Sequence, residues 1–334
     1  MIETMSLDDM REYLGQDQIP EDFDDFWKKQ TMKYQGNIEY RLDKKDFNIT
    51  FAQAYDLHFK GSNNSIVYAK CLFPKTNKPY PVVFYFHGYQ NQSPDWSDQL
   101  NYVAAGYGVV SMDVRGQAGQ SQDKGHFDGI TVKGQIVRGM ISGPNHLFYK
   151  DIYLDVFQLI DIIATLESVD SNQLYSYGWS QGGALALIAA ALNPKIVKTV
   201  AVYPFLSDFR RVLDLGGVSE PYDELFRYFK YSDPFHKTEN NVLKTLAYID
   251  VKNFAHRISC PVVLLTALKD DICPPSTQFA IFNRLTSTKK HLLLPDYGHD
   301  PMTVQVKDHI FDQLTGSQFT KQKNRVDYFY SIFI

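Results

Sequence analysis

Ser180 sits at the centre of Gly178-Trp179-Ser180-Gln181-Gly182, between Tyr175-Ser176-Tyr177 and the helix-forming run Ala184-Leu185-Ala186-Leu187-Ile188. The order reads as a buried strand, a sharp turn and a helix, a geometry that lifts a serine hydroxyl clear of its surroundings. Gly178, Gly182 and Gly183 let strand and helix approach closely around the turn. A serine hydroxyl is a weak nucleophile near neutral pH and needs an adjacent base, itself oriented by a third group. Two downstream segments offer these. Leu292-Leu293-Leu294-Pro295 runs into Asp296-Tyr297-Gly298-His299, which places His299 just beyond a strand end, where catalytic groups gather in an open sheet. Among the other histidines, His291 opens a strand, and His58 and His309 read as strand or helix-surface residues. The acid falls in Leu268-Lys269-Asp270-Asp271, also beyond a strand; Asp270 is the first choice, but spacing alone does not separate it from Asp271. An oxyanion formed on attack needs two preorganised N–H donors. Gln181, next to the nucleophile, offers one. Phe84-Tyr85-Phe86-His87-Gly88-Tyr89-Gln90 ends a strand in a glycine-containing turn, so the Tyr89 N–H is the candidate for the second.

The rest of the chain must hold these groups together. Short runs rich in Val, Ile, Phe and Tyr alternate with helical patterns, which predicts a mostly parallel sheet flanked by helices. Eight strands are expected, at 47–59, 66–73, 81–86, 109–114, 173–177, 197–203, 262–267 and 290–294. The first two form an antiparallel pair across Gly61-Ser62-Asn63-Asn64. Helices are expected at 24–34, 99–105, 149–166, 182–192, 223–231 and 275–285, with a last one near 304–314. With Ser180 on its strand-to-helix turn, this is the pattern of an α/β-hydrolase fold. Residues 117–148, Gly-rich and polar, interrupt it after the fourth strand, and residues 204–256, rich in Pro and aromatics, interrupt it later. Long insertions of this kind serve as lids, binding loops or interfaces. A single domain spanning 1–334, with a small helical lid at 204–256, is the expectation. Tyr203, Phe205, Phe209, Tyr222, Phe226, Tyr228 and Phe229 lie in or beside that lid and are expected to pack its helices rather than stack on a ligand.

Composition excludes several function classes. The 334 residues are 44% hydrophobic and carry a net charge of −4, with no basic tract to attract nucleic acid. Lys321, Lys323 and Arg325 read as a solvated face. No apolar stretch approaches the roughly 20 residues of a membrane helix. The start, Met1-Ile2-Glu3-Thr4-Met5, lacks the cationic end and apolar core of a signal peptide, so a cytoplasmic location is expected. Cys71, Cys260 and Cys273 are odd in number and form no C-x-x-C pair, so their spacing indicates neither a disulfide framework nor a thiolate metal site. The apolar tail, Tyr328-Phe329-Tyr330-Ser331-Ile332-Phe333-Ile334, is too short to span a membrane; it packs on its own domain or on a neighbouring subunit.

The motifs together resemble one family. Asp22-Phe23-Asp24-Asp25-Phe26-Trp27, His87-Gly88-Tyr89 with Trp96, and Gly106-Tyr107 come first. They are followed by Met112-Asp113-Val114-Arg115-Gly116-Gln117, Gly178-Trp179-Ser180-Gln181-Gly182-Gly183, Asp270 with Pro274-Pro275-Ser276-Thr277, and Gly298-His299. Across nearly the whole chain this resembles the acetyl xylan esterase and cephalosporin-C deacetylase family, carbohydrate esterase family seven. The resemblance implies a triad of Ser180, Asp270 and His299, which selects Asp270 over Asp271, and an oxyanion hole of Tyr89 and Gln181. It implies that Arg115 and Gln117 support the site without reacting. It further implies a serine esterase that deacetylates acetylated xylo-oligosaccharides and cephalosporin C-like acetyl esters, without metal or organic cofactor. A cytoplasmic homohexamer with residues 117–148 at its interface is part of the same expectation. Two positions depart from the family pattern: Asp300 stands where Glu is usual after the histidine, and Ala267 where Gly is common. The rivals are a peptidase or thioesterase with the same triad, against which the R-G-Q element weighs, and a catalytically silent interaction protein, which would typically have lost a triad residue.

Overall fold

A computed structural model describes residues 1–36, 38–128, 135–217, 219–301 and 305–316, with the backbone of 326–328. Strands β1 (Tyr40–Lys45), β2 (Ala52–Lys60), β3 (Ile66–Pro74), β4 (Tyr80–Phe86), β5 (Gly108–Met112), β6 (Val169–Trp179), β7 (Ile196–Val202), β8 (Val262–Ala267), β9 (Lys289–Leu294) and β10 (Val326–Tyr328) form one sheet. Its order is β1-β2-β3-β5-β4-β6-β7-β8-β9-β10. The first three strands and β5 pair antiparallel, and everything from β5 to β10 is parallel. The β2–β3 pair closes through Gly61–Asn64 as expected, with the Gly61 N–H bonded to the Ser65 carbonyl.

Among the described residues the sheet has ten strands, against the eight that the sequence predicts. The addition at one edge, β1, is Tyr-Arg-Leu-Asp-Lys-Lys, a largely exposed polar segment with no apolar alternation. Charged edge strands of this kind are stabilised by backbone pairing and resist further pairing, so hydropathy does not reveal them. The addition at the other edge is β10. The sequence pattern extends this strand back to 47, yet β2 begins at Ala52, with Phe47 and Ile49 packed instead on the small cluster of Ala52, Leu72 and Val103, alongside Trp96 and Leu100. Lys321, Lys323, Arg325 and 329–334 of the apolar tail lie outside the described residues, as do 129–134 of the long insertion and Val304.

Among the described residues ten α-helices flank the sheet: α1 (Leu7–Glu12), α2 (Phe23–Met32), α3 (Leu100–Ala104), α4 (Phe148–Ala164), α5 (Gln181–Leu192), α6 (Phe209–Leu215), α7 (Asp223–Arg227), α8 (Glu239–Leu246), α9 (Pro275–Arg284) and α10 (Val306–Thr315). One face carries the larger core, in which α2, α4 and α5 bury Trp27, Tyr153, Ile160, Leu185 and Ile188 against Phe84, Phe86 and Val110. Every residue of α5 is buried, which explains why its sequence is apolar all round instead of amphipathic. The other face is thinner, with Ile310 and Leu314 of α10 over Val83, Tyr177, Val200 and Leu292. The 204–256 segment contributes α6, α7, α8, 3-10 turns at Glu220–Tyr222 and Val251–Arg257 and a π turn at Tyr228–Ser232, and its Phe205, Phe209, Tyr222 and Phe229 are buried in the main core. The chain leaves β4 for β5 on one side and returns for β6 on the other, so the sheet order reverses between β4 and β6. Crevices beyond the carboxyl ends of strands at such a reversal are where open α/β sheets hold their ligands.

Candidate active site

The turn from β6 into α5 is strained. Ser180 has φ 55° and ψ −117°, a backbone conformation that side chains other than glycine rarely adopt. Three backbone bonds fix it there: the Ser180 N–H donates to the Val202 carbonyl (2.9 Å), and the Ser180 carbonyl accepts from the Ala184 and Phe205 N–H groups (3.0 and 3.1 Å). The flanking glycines are required by close approach. A Cβ on Gly182 would lie 1.8 Å from the Phe86 carbonyl oxygen, and one on Gly178 would lie 2.3 Å from that of Gly182.

Loops after β9 and β8 bring the partners to the serine. Ser180 Oγ lies 3.0 Å from His299 Nε2, and His299 Nδ1 lies 2.9 Å from Asp270 Oδ2. A carboxylate only accepts, so Nδ1 carries the proton and Nε2 presents its lone pair to the serine hydroxyl. Asp270 is 2% exposed and held by its own loop: Oδ1 accepts from the Ile272 and Cys273 N–H groups (2.9 and 2.8 Å), and Gln278 Nε2 approaches Oδ2 at 3.3 Å. Asp271 makes none of these contacts with His299. The Tyr203 ring packs 4.6 Å from the imidazole, and its hydroxyl donates to the Asp300 carbonyl. Asp300 does not reach the His299 ring; its Oδ2 accepts the Gly298 N–H at 3.1 Å and so braces the loop that carries the histidine.

The β4 turn faces this line across the sheet reversal. Gln181 is the first residue of α5, and the N–H groups of a helix's first turn have no carbonyl partner within the helix. The Tyr89 ring lies against Phe205 (5.9 Å) and its hydroxyl accepts the Gln135 N–H (2.9 Å). Gln117 ties the two together. Its Oε1 accepts the Gln90 N–H (2.8 Å), and its Nε2 donates to Gln181 Oε1 (2.7 Å) and Gln135 Oε1 (3.0 Å). Buried His87 accepts the Val114 N–H at Nε2 (2.9 Å); burial holds its pKa below the ordinary histidine value, which keeps the ring neutral and able to accept.

Arg115 is fully buried, and its guanidinium pairs with Asp155 through two 2.6 Å bonds, with further contacts to the Ser62 carbonyl and Ser65 Oγ. Burial pushes the Asp155 carboxyl up to about 6 despite the arginine beside it. The pair is a strut between α4, the β2–β3 turn and the loop of Gln117. Arg115 is therefore no surface charge.

Sequence reasoning missed three neighbours. Tyr149 donates its hydroxyl to Gln181 Oε1 (2.8 Å), Gln135 bonds Tyr89, Gln117 and the Gly116 carbonyl, and Cys273 Sγ lies 4.0 Å from Ser180 Oγ. None carries a local motif; only the packing of α4, of the 3-10 turn Gln135–Val137 and of the loop after β8 brings them in. Burial, with Asp270 close by, pushes the Cys273 thiol well above its ordinary pKa, so it is no rival nucleophile.

A hydroxyl, an imidazole and a carboxylate in one hydrogen-bonded line, set on a strained turn at the carboxyl ends of a parallel sheet, define the serine hydrolases of the α/β-hydrolase fold. Residues 1–316 match the acetyl xylan esterase (AXE1) family, and the chain belongs to it. It is 30% identical over 288 residues to acetyl esterase Axe7A of Xylanibacter ruminicola, and it spans 63% of that relative's length (84% of its own). Acetyl xylan esterase 1 from a Thermoanaerobacterium species has 43% identity and a TM-score of 0.90, covering 93% of this chain and 98% of its own. An acetyl xylan esterase from a Paenibacillus species has 30% identity and a TM-score of 0.88, covering 93% and 99%. Among the described residues no helix is long and apolar enough to cross a membrane.

Proposed function

We propose that the protein is a serine esterase that removes acetyl groups from small acetylated alcohols. The observation that carries this reading is the 3.0 Å and 2.9 Å relay from Ser180 through His299 to Asp270, in a chain of this family. Ser180 Oγ attacks the acetyl carbonyl as His299 Nε2 takes its proton, and Asp270 holds the imidazole in the tautomer that can accept it. The Tyr89 and Gln181 N–H groups receive the oxyanion, each contributing about 3–4 kcal/mol to the barrier reduction. His299 then protonates the leaving alcohol. Water, deprotonated by the same ring, releases acetate from the acetyl-enzyme. No cofactor takes part in these steps.

The substrate proposed is an acetylated xylo-oligosaccharide, in keeping with the names of the relatives, or a cephalosporin C-like acetyl ester, which rests on the family resemblance of the sequence motifs alone. The same reading places the protein in the cytoplasm as a homohexamer of single-domain subunits, with 117–148 at the interface and 204–256 as a lid. The peptidase, thioesterase and silent-fold alternatives are not favoured by the family match. Acetate release from acetylated xylobiose, compared with turnover of a long-chain p-nitrophenyl ester and with Ser180→Ala, tests the activity. Acetate release that disappears in the variant, with little long-chain turnover, is expected. A folded wild type that turns over neither ester refutes the proposal. Light scattering after size-exclusion chromatography tests the assembly, which a strictly monomeric elution would refute.

A further inference from the structure

Cys273 is a thiol beside the triad for which the proposed reaction has no use. It is fully buried, its Sγ lies 4.0 Å from Ser180 Oγ, and its backbone N–H is one of the donors to Asp270. One ligand atom each from Cys273, His299 and Asp270 falls within 4.8 Å of the others. Gln278, whose amide touches both Asp270 Oδ2 and the Cys273 carbonyl, is fully buried and leaves its own Oε1 without a hydrogen-bond partner. The neighbourhood therefore holds one unpartnered acceptor oxygen, a carboxylate and a soft sulfur beside an imidazole.

We propose that Cys273, His299 and Asp270 form an inhibitory site for a thiophilic divalent cation of the Zn2+ type. Thiolate, imidazole and carboxylate are the protein ligands zinc takes, at about 2.0–2.3 Å, which places ligand atoms of a tetrahedral site roughly 3.5 Å apart. Closing a group already within 4.8 Å to that spacing takes side-chain movements of about an ångström. The His299 side chain is 21% exposed, which gives the ion a route from solvent. On binding, the Cys273 S–H bond breaks, its proton leaves to solvent and the sulfur lone pair forms the S–metal bond; no electron is transferred. His299 binds through Nδ1, the nitrogen 2.9 Å from Asp270 Oδ2, and the Nδ1 proton passes through solvent to Nε2, whose lone pair is then no longer free to take the Ser180 proton. A hydrolysis that needs no metal is thereby switched off by one. The three ligands come from two loops 29 residues apart by the Asp270–His299 count, which is why no metal-ligand spacing is visible in the sequence.

The binding half of this inference is independent of the esterase reading, and the inhibition half rests on it. Co2+ is the probe for binding: wild type should develop the sulfur-to-cobalt charge-transfer absorption of a thiolate ligand, and Cys273→Ala and Cys273→Ser should not. Zn2+ is the probe for inhibition of p-nitrophenyl acetate hydrolysis, each variant being normalised to its own chelator-treated rate. Wild type should lose activity reversibly in micromolar Zn2+, and Mg2+ should have no effect. Losing the sulfur ligand should raise the Zn2+ required by about tenfold or more. Cys260→Ala, away from the site, should titrate like wild type, and circular dichroism checks the fold of each variant. Absence of the thiolate band in wild type, or equal Zn2+ sensitivity in Cys273→Ala, overturns the proposal. A thiolate band in a protein with no esterase activity would leave the cation site standing and remove the esterase reading instead.

Discussion

Gln117→Ala isolates the strut beneath the proposed oxyanion hole. The substitution removes four side-chain hydrogen bonds, from the Gln90 N–H and Gln181 Nε2 and to Gln181 Oε1 and Gln135 Oε1. At about 1 kcal/mol net for each, folding stability should fall by roughly 4 kcal/mol. The catalytic cost follows from what the Gln90 bond holds, namely the turn that presents the Tyr89 N–H. Complete loss of one oxyanion donor costs about 10²–10³ in kcat. Here the turn keeps other anchors: the Tyr89 hydroxyl bonded to Gln135, its ring against Phe205, and the Asn91 N–H on the Gly88 carbonyl. A partial loss of about 10- to 100-fold in kcat is therefore expected, equivalent to roughly 1.4–2.7 kcal/mol. KM should change little, because the donors bind developing negative charge more strongly than the ground-state carbonyl. Gln117→Glu keeps the acceptor for the Gln90 N–H and loses the donor to Gln181, so it should fall between wild type and alanine. Initial rates with p-nitrophenyl acetate give kcat and KM, and urea melts give stability. A kcat within twofold of wild type for the alanine variant, or a loss expressed only in KM, would refute the reasoning.

Three further outcomes follow from the same contacts. Asp270→Asn turns an amide N–H toward His299 Nδ1, which favours the tautomer that cannot accept from Ser180; kcat should drop by about 10⁴ with the fold intact, and a loss below tenfold would contradict the assigned role. Arg115→Met leaves Asp155 buried and unpaired and should cost about 3–5 kcal/mol in denaturant melts, whereas Arg115→Met with Asp155→Leu should recover most of it; equal stability of the single and double variants would show that the pair is not the strut described. His291 is buried against Phe279 and Phe282, bonded to Thr266 Oγ1, and burial pushes its pKa down to about 3. The unfolded chain binds a proton near pH 6.5 that the folded ring does not accept until about pH 3, so this contribution to stability is present above the unfolded value and lost as pH falls through that window. Between neutral pH and pH ~5 wild type should lose about 2 kcal/mol more than His291→Leu, and parallel pH profiles would disprove the assignment.

Local chemistry made part of this protein legible in its sequence. The strand-turn-helix around Ser180 was readable because Gly178 and Gly182 sit where a Cβ would strike backbone, and short-range steric demands leave their mark in short-range sequence. His299 and the Asp270-Asp271 pair were legible as groups following apolar runs, since strand ends are written in hydropathy. Their distances were not. Residues 119 apart meet at 3.0 Å only because parallel strands β6, β8 and β9 end at the same edge of one sheet. The same holds for the edge strand β1, formed by backbone pairing with β2 that its polar side chains do not encode. Tertiary structure alone decided that Arg115 is buried on Asp155, that Gln117 joins the Tyr89 turn to Gln181, and that Cys273 stands beside the serine. Each depends on which side chain a distant element turns inward, and that is set by packing of the whole sheet and its helices, not by the identity of sequence neighbours.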